Sequence, residues 1–426
     1  MDLSISPRRS FLLPTLCLVY VACGIISMLS GPALPVLAAH TGVPLDIAGW
    51  IFTASALGFA LGVTISGSLS ARVSAKYLLI VGVTIITVAA IVIPWTHIFA
   101  LLLAAQLVIG IGFGVIDVSI NVIATLTFHD MLSETLNNLH SAFGLGALIG
   151  PLLLSLALSF FNESIWAFLI GMMIALISII LLLRQPIPAI VKQQTGSQEQ
   201  PIPTQSNIFL QAVLWFMALQ MFFYIAAETG FSGWIATVTS KGTGVSLVIA
   251  APTAALFWLG LTGGRLLGAR LLKRMILSEN QLLYLSFIGS GISGLLVAIF
   301  PRLLWIDFIA SLLTGLFLGP IFPGIMAIAS RRFVHTLGII SSVMLFSAGA
   351  SGVIFPVLIG VSITHLGLGW GMAIPALAGL LIALPFYLAT KLSEKHSVLQ
   401  FTRKVHTMKE QETTSSNKNC RKEQEI

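Results

Sequence analysis

The chain has 426 residues, of which 57% are hydrophobic and only 9% charged, with a formal net charge of +7. Soluble domains carry about a quarter of their residues as charged side chains, so a water-soluble enzyme or scaffold is excluded as a class. The basic residues stand in short pairs at the ends of apolar segments and in a polar tail, which is the pattern of membrane topology rather than of a nucleic-acid-binding face, and no nucleic acid partner is expected.

Arg8 and Arg9 precede an apolar run that continues from Phe11 to about residue 39. This is well beyond the roughly 7–15 residues of a signal-peptide core, so it reads as a retained first span. Eleven further apolar blocks follow, each long enough to cross a bilayer as a helix. The first six spans are predicted at roughly 11–39, 47–71, 77–94, 99–125, 136–162 and 164–183. The second six fall at roughly 208–238, 246–270, 281–300, 304–329, 336–363 and 368–390. The chain therefore divides into an N-terminal six-helix half (1–183), a polar linker (184–207), a C-terminal six-helix half (208–390) and a polar tail (391–426).

With the N-terminus in the cytoplasm, all of the 22 Lys and Arg residues except Lys241 and Arg302 fall on the cytoplasmic side, and both termini lie there. Trp50, Trp95, Trp166, Trp234, Trp305 and Trp370 then fall at or near outer ends of spans, the headgroup level that indoles favour. One constant offset aligns Gly110 with Gly315, Gly114 with Gly319, Gly144 with Gly349 and Pro151 with Pro356, so the halves read as parallel repeats of one unit. The three cysteines, Cys17, Cys23 and Cys420, show neither pairing nor metal-ligand spacing; no metal site and no cofactor is expected.

Twelve spans split by a cytoplasmic linker resemble the major facilitator superfamily of transporters. The loop from Gly67 to Lys76 (GSLSARVSAK) is similar to that superfamily's glycine-and-basic signature, with Ala71 in place of its aspartate and Ser74 in place of a glycine. Within the superfamily, the stretches Gly112–Asn121, Leu136–His140 through Gly144, Phe223–Trp234 and Phe257–Arg265 resemble the fucose-permease branch of sugar transporters. That branch carries an aspartate in its first span where Gly31 stands here, so only the acid of span four, Asp117, carries over. The resemblance implies an all-α integral membrane fold of twelve helices. It also implies gating roles at the cytoplasmic loops for Arg72, Lys76 and Arg265.

An ionisable group inside a span faces a cavity or a partner, because a lone charge costs a few kcal/mol at mid-bilayer. Asp117 and Glu228 are the acids well inside apolar spans, whereas Asp307 is expected at an interface near Arg302. Asp117 and Asn121, four residues apart, share a helix face and could hold the hydroxyls of a polar ligand while the acid exchanges a proton. The alternative is a polar helix–helix contact. Gln220, Tyr224 and Glu228 form a polar stripe on span seven that suits a hydrated cavity wall, or else a structural network. Asn137, Asn138 and His140 open span five and could touch substrate or serve as helix caps. Trp258, near mid-span, could stack on a sugar ring or simply pack, and Gln106 in span four is a weaker candidate. The glycine runs lie inside spans with no preceding strand, which rules out a nucleotide loop.

These features point to a secondary transporter rather than an enzyme. It would move a small polar solute, sugar or sugar-like, by alternating access driven by a coupling cation, proton or sodium, and work as a monomer in the plasma membrane of a bacterium. One alternative is a proton-antiport exporter of hydrophobic compounds, since Gly146–Pro151 (GALIGP) partly resembles the exporters' antiporter signature. A transporter-like receptor signalling through its tail is the other.

Overall fold

The computed structural model describes residues 7–70, 72–128, 131–185, 212–333 and 337–392. Nearly all of the linker and the tail beyond residue 392 lie outside the described residues. The fold is an all-α, twelve-span integral membrane bundle. Its spans are α1 (Phe11–Leu29), α2 (Leu45–Leu69), α3 (Ala75–Trp95), α4 (Phe99–Thr127), α5 (Glu134–Phe161) and α6 (Ile165–Arg184). The second set comprises α7 (Ala212–Thr243), α8 (Leu247–Lys273), α9 (Glu279–Ile299), α10 (Leu304–Ala329), α11 (Ser342–His365) and α12 (Leu368–Leu392). The first span is shorter than its apolar run suggests. It ends at Leu29, and the chain turns into a separate short helix, Leu34–Thr41, which begins with Pro35 at its second position and stops at Gly42 in the left-handed conformation. Hydrophobicity alone could not separate the two, because both are apolar.

Local signals set several helix starts. Ser278 and Gln281 form a reciprocal capping box ahead of α9. Ser74, where the signature loop departs from glycine, accepts a hydrogen bond from the Tyr77 N–H as the N-cap of α3.

Close helix contact is made by glycine. A Cβ added to Gly58 or Gly62 of α2 would lie 2.0 or 2.1 Å from the α4 backbone; one on Gly110 or Gly114 of α4 would lie 2.1 or 2.5 Å from α2. In the second half α8 and α10 repeat the arrangement, at 2.1 and 2.0 Å for Gly260 and Gly264 and at 2.0 and 2.5 Å for Gly315 and Gly319. Small residues let backbones approach where lipid supplies no hydrophobic drive. The glycine pairs aligned along the sequence thus occupy equivalent positions in two copies of one helix pair.

The ends of the bundle differ. On the side away from α1's start, hereafter distal, the halves are sealed against each other. Thr53 of α2 donates to the Val353 carbonyl of α11 at 2.7 Å, and Ser155 of α5 donates to the Val248 carbonyl of α8 at 2.6 Å. The chain at Gly31 presses on Gly233 of α7 so closely that a Cβ there would stand 3.1 Å from the Gly233 backbone. Trp234 is completely buried in this seam, wedged against Gly49 and Gly360. Its place corrects the expectation of an interfacial indole; the other five of that expected belt, Trp50, Trp95, Trp166, Trp305 and Trp370, are exposed. At the opposite side, where α1, α7 and the linker begin or end, Asn137, Asn138 and His140 of α5 are exposed.

Candidate functional site

The glycines that press α4 against α2 and α3 carry Asp117 into the bundle one turn later. Tyr20 of α1 donates its hydroxyl to Asp117 Oδ1 at 2.8 Å. The Tyr20 ring also lies 5.9 Å from the imidazole of His140 and 6.3 Å, edge on, from Phe143. His140 is within electrostatic reach of the Asp117 carboxyl. Asn121 donates its side-chain Nδ2 to the backbone carbonyl of Asp117 at 2.8 Å, which leaves its carbonyl oxygen and one N–H for a ligand. Asn138 lies at the exposed end of the same helix as His140.

The second half contributes a complementary set. Glu228 and Tyr224, one turn apart on α7, meet Arg265 of α8, and Arg265 in turn reaches His140 electrostatically. Arg265 lies inside α8, as its span predicts, two turns before the helix end and away from the cytoplasmic loops where the resemblance implies a gating role. The Tyr224 hydroxyl points toward Glu228 and Arg265 but closes no hydrogen bond of good geometry, and Arg265 Nε is likewise buried without a partner. Buried donors are normally satisfied. Two open donors beside a carboxylate suit a ligand that brings several oxygen acceptors. Asp117 and Glu228 both sit deep in the bundle yet keep some accessible surface, as side chains lining an internal space do.

An aromatic run lies alongside. Phe59 and Phe113 (5.3 Å), Phe113 and Phe143 (5.3 Å, stacked), Phe143 and Trp258 (6.2 Å), Trp258 and Phe257 (5.6 Å) follow one another across the junction of the halves. Trp258 is 5% exposed, so its faces are taken up by packing.

Other expected residues are placed elsewhere. Gln220 departs from the stripe and lines a separate side cavity of about 230 Å³ between the ends of α7, α9, α10 and α12, near the Glu279–Arg331 ion pair. Gln106 is buried and donates to Ser30 Oγ at 2.6 Å, tying α4 to the end of α1. Arg72 is exposed on the loop after α2. Lys76 donates to the carbonyls of Leu183 (3.1 Å) and Gln185 (2.6 Å), capping the last turn of α6 within its own half. This is a cation at a helix C-terminus and not a contact between halves. Lys76→Met is expected to cost about 1 kcal/mol, read as a lower Tm in detergent with unchanged substrate affinity. A weakened affinity would restore Lys76 to the transport machinery.

Asp307 lies near the distal end of α10, in its first turn, as expected, but its side chain is fully buried in the bundle instead of standing free beside Arg302. Tyr20 was the participant not foreseen, although a lone tyrosine at the middle of an apolar first span is the signal that marks it.

Twelve spans in two glycine-locked halves, joined at the distal end and carrying ionisable side chains deep between them, are the make-up of a multi-pass membrane transporter. The chain belongs to the Major Facilitator Superfamily, whose family profile matches residues 16–306. It is 25% identical over 407 residues to the human "Sodium-dependent glucose transporter 1", covering 86% of this chain and 72% of that protein. It is 24% identical over 360 residues to the "Glucose/mannose transporter GlcP" of Bacillus subtilis (strain 168), covering 81% and 86%. Among solved structures, a bacterial homolog of the human lysosomal transporter Spinster, inward-facing and unoccupied, superposes with a TM-score of 0.70 at 16% identity over 91% of this chain and 98% of that one. FucP in the outward conformation gives 0.60 at 19% over 89% and 99%. Several branches of the superfamily therefore match, and the fucose-permease branch is not singled out. The chain is a secondary-active transporter of a small solute, and its family is one of transport rather than catalysis.

Proposed function

We propose that this protein moves a sugar or sugar-like solute by cation-coupled alternating access. The substrate would bind between the Asp117–Tyr20–His140 group and the Glu228–Tyr224–Arg265 group. The observation that carries this reading is the meeting of those two groups across the junction, with the Tyr224 hydroxyl and Arg265 Nε unpaired. A polyol offers several acceptors and donors at once, and desolvated sites of this kind discriminate strongly for ligands that satisfy them. The glucose transporters named above support the same substrate class. The open side is cytoplasmic in this reading, because Lys and Arg concentrate there. Both termini then lie inside, and the protein works as a monomer in a bacterial plasma membrane.

Export of hydrophobic compounds fits less well. Gly146 and Gly150, which carry the partial antiporter resemblance, press on the backbone of Val21 and Ile25 of α1 and so have a packing role. A receptor reading rests on the tail, which lies outside the described residues.

Uptake by purified protein in proteoliposomes tests the proposal, using labelled glucose, mannose and fucose under imposed proton or sodium gradients. Accumulation of at least one sugar above its equilibrium level, dependent on one cation gradient, is the expected result. No gradient-driven sugar uptake, together with extrusion of a hydrophobic dye, would overturn it.

A further inference from the structure

Asp307, in the first turn of α10, has no exposed surface, and among the described residues neither carboxylate oxygen has a hydrogen-bond partner of good geometry. Thr239 of α7 faces it with its hydroxyl close to the carboxyl; that side chain is also completely buried and closes no hydrogen bond of good geometry. The nearby hydroxyls that could donate are committed to backbone. Ser311 bonds to the Asp307 carbonyl at 2.6 Å, and Thr243 bonds to the Thr239 carbonyl at 2.7 Å. One turn beyond Thr239 on α7, Gly242 packs against the Pro301 carbonyl, which brings the chain just before α10 onto α7.

An unpaired buried carboxylate costs several kcal/mol unless a proton or a cation neutralises it. Among the described residues no fixed counter-charge does so. On the elements packed against α10, the charges of α8 (Arg265, Arg270, Lys273), of α9 (Glu279) and at the end of α10 itself (Arg331, Arg332) stand toward the opposite side of the bundle. Those of α7 are Glu228 at mid-span and Lys241, which is exposed, as is Arg302 before α10. A capping role is absent as well, since the N-cap of α10 is Leu303 and makes no side-chain bond. What remains is a carboxylate beside a hydroxyl, hard oxygen donors suited to a proton or a small monovalent cation.

We propose that Asp307 and Thr239 form a second cation site, for sodium or a proton, beneath the distal surface of the C-terminal half and separate from the central cleft. It is shallow: Trp305, two residues before Asp307, is 78% exposed. A cation bound here would hold α10 to α7 by bridging the carboxylate and the hydroxyl, whereas a proton would let Asp307 donate to Thr239. The inference does not depend on the identity of the transported solute.

The test is thermal unfolding of the purified protein in detergent, with sodium chloride exchanged for choline chloride at constant ionic strength, and repeated across pH 5 to 8. A sodium site predicts a Tm that rises with sodium in wild-type protein and in Asp117→Asn. The effect should vanish in Asp307→Asn, and its sodium midpoint should move up about tenfold in Thr239→Val. A proton site predicts no sodium effect, but a pH dependence of Tm that Asp307→Asn removes. Identical sodium and pH responses in wild-type protein and both variants would overturn the proposal. Wild-type protein alone gives a second measurement, labelling by dicyclohexylcarbodiimide followed by peptide mass spectrometry. An adduct on Asp307, suppressed by sodium or by raised pH, supports the site; an unlabelled Asp307, or labelling indifferent to both, refutes it.

Discussion

Asp117→Asn is expected to abolish concentrative transport while leaving exchange of solute between equal pools intact. A gradient of about two pH units holds about 2.7 kcal/mol per proton, enough for about 100-fold accumulation. The variant should bring that ratio to unity. The reason lies in the geometry: Asp117 sits deep in the N-terminal half on α4, where Tyr20 donates to it at 2.8 Å with His140 alongside. Asparagine keeps an acceptor for Tyr20 and the approximate shape of the protonated acid, but cannot release a proton. Binding and the rocking of the halves should therefore continue without coupling. Tyr20→Phe supplies the control: it removes one hydrogen bond and is expected to change affinity more than the coupling ratio. If Asp117→Asn still accumulates solute in proteoliposomes against a gradient, coupling resides elsewhere, with Glu228, His140 or the Asp307 site next in line.

The number and order of spans were legible because hydrophobic length and charge asymmetry report directly on the bilayer. The internal repeat was legible too, since Gly110 and Gly114 and their counterparts Gly315 and Gly319 are held in place by backbone contact, which tolerates no substitute. Asp117 and Glu228 stood out because ionisable groups are costly in lipid. What the sequence withheld was which helix faces meet. Gln220 seemed continuous with Tyr224 and Glu228 along α7, yet the drift of the stripe around the helix turns it into a separate cavity. Arg265, placed in span eight but grouped with the gating cations of the cytoplasmic loops, meets Glu228 because α8 extends two turns past it. Trp234 suits an interface by its amphipathic indole and fits a seam only because Gly49 and Gly360 leave it room; the register of α2 and α11 against α7 decides between them. Gly31, where the resembling branch has an acid, also takes its meaning from a neighbour, since Gly233 leaves almost no room for a side chain in this state.

A disulfide between Ala56→Cys and Gly352→Cys is expected to stop transport completely, and reduction to restore it. The two positions face each other at the floor of the distal seal: a Cβ built on Gly352 lies 3.2 Å from that of Ala56. Disulfides span Cβ separations of about 3.5–4.5 Å, so a few tenths of an ångström of relaxation suffice. Above this pair run the Thr53–Val353 hydrogen bond and the packing of Trp234 against Gly49 and Gly360. If the halves rock as rigid units, these contacts must all part for the cleft to open on the distal side. A covalent link at the floor would hold them together and confine the protein to the state open on the other side. The measurement is uptake before and after oxidation, in a background with Cys17, Cys23 and Cys420 replaced, with the extent of cross-linking read by peptide mass spectrometry. The oxidised protein should still bind solute from the open side, because the link lies away from Asp117 and Glu228. Full transport by quantitatively cross-linked protein would show that α2 and α11 stay together through the cycle, and the distal seal would then not be the gate.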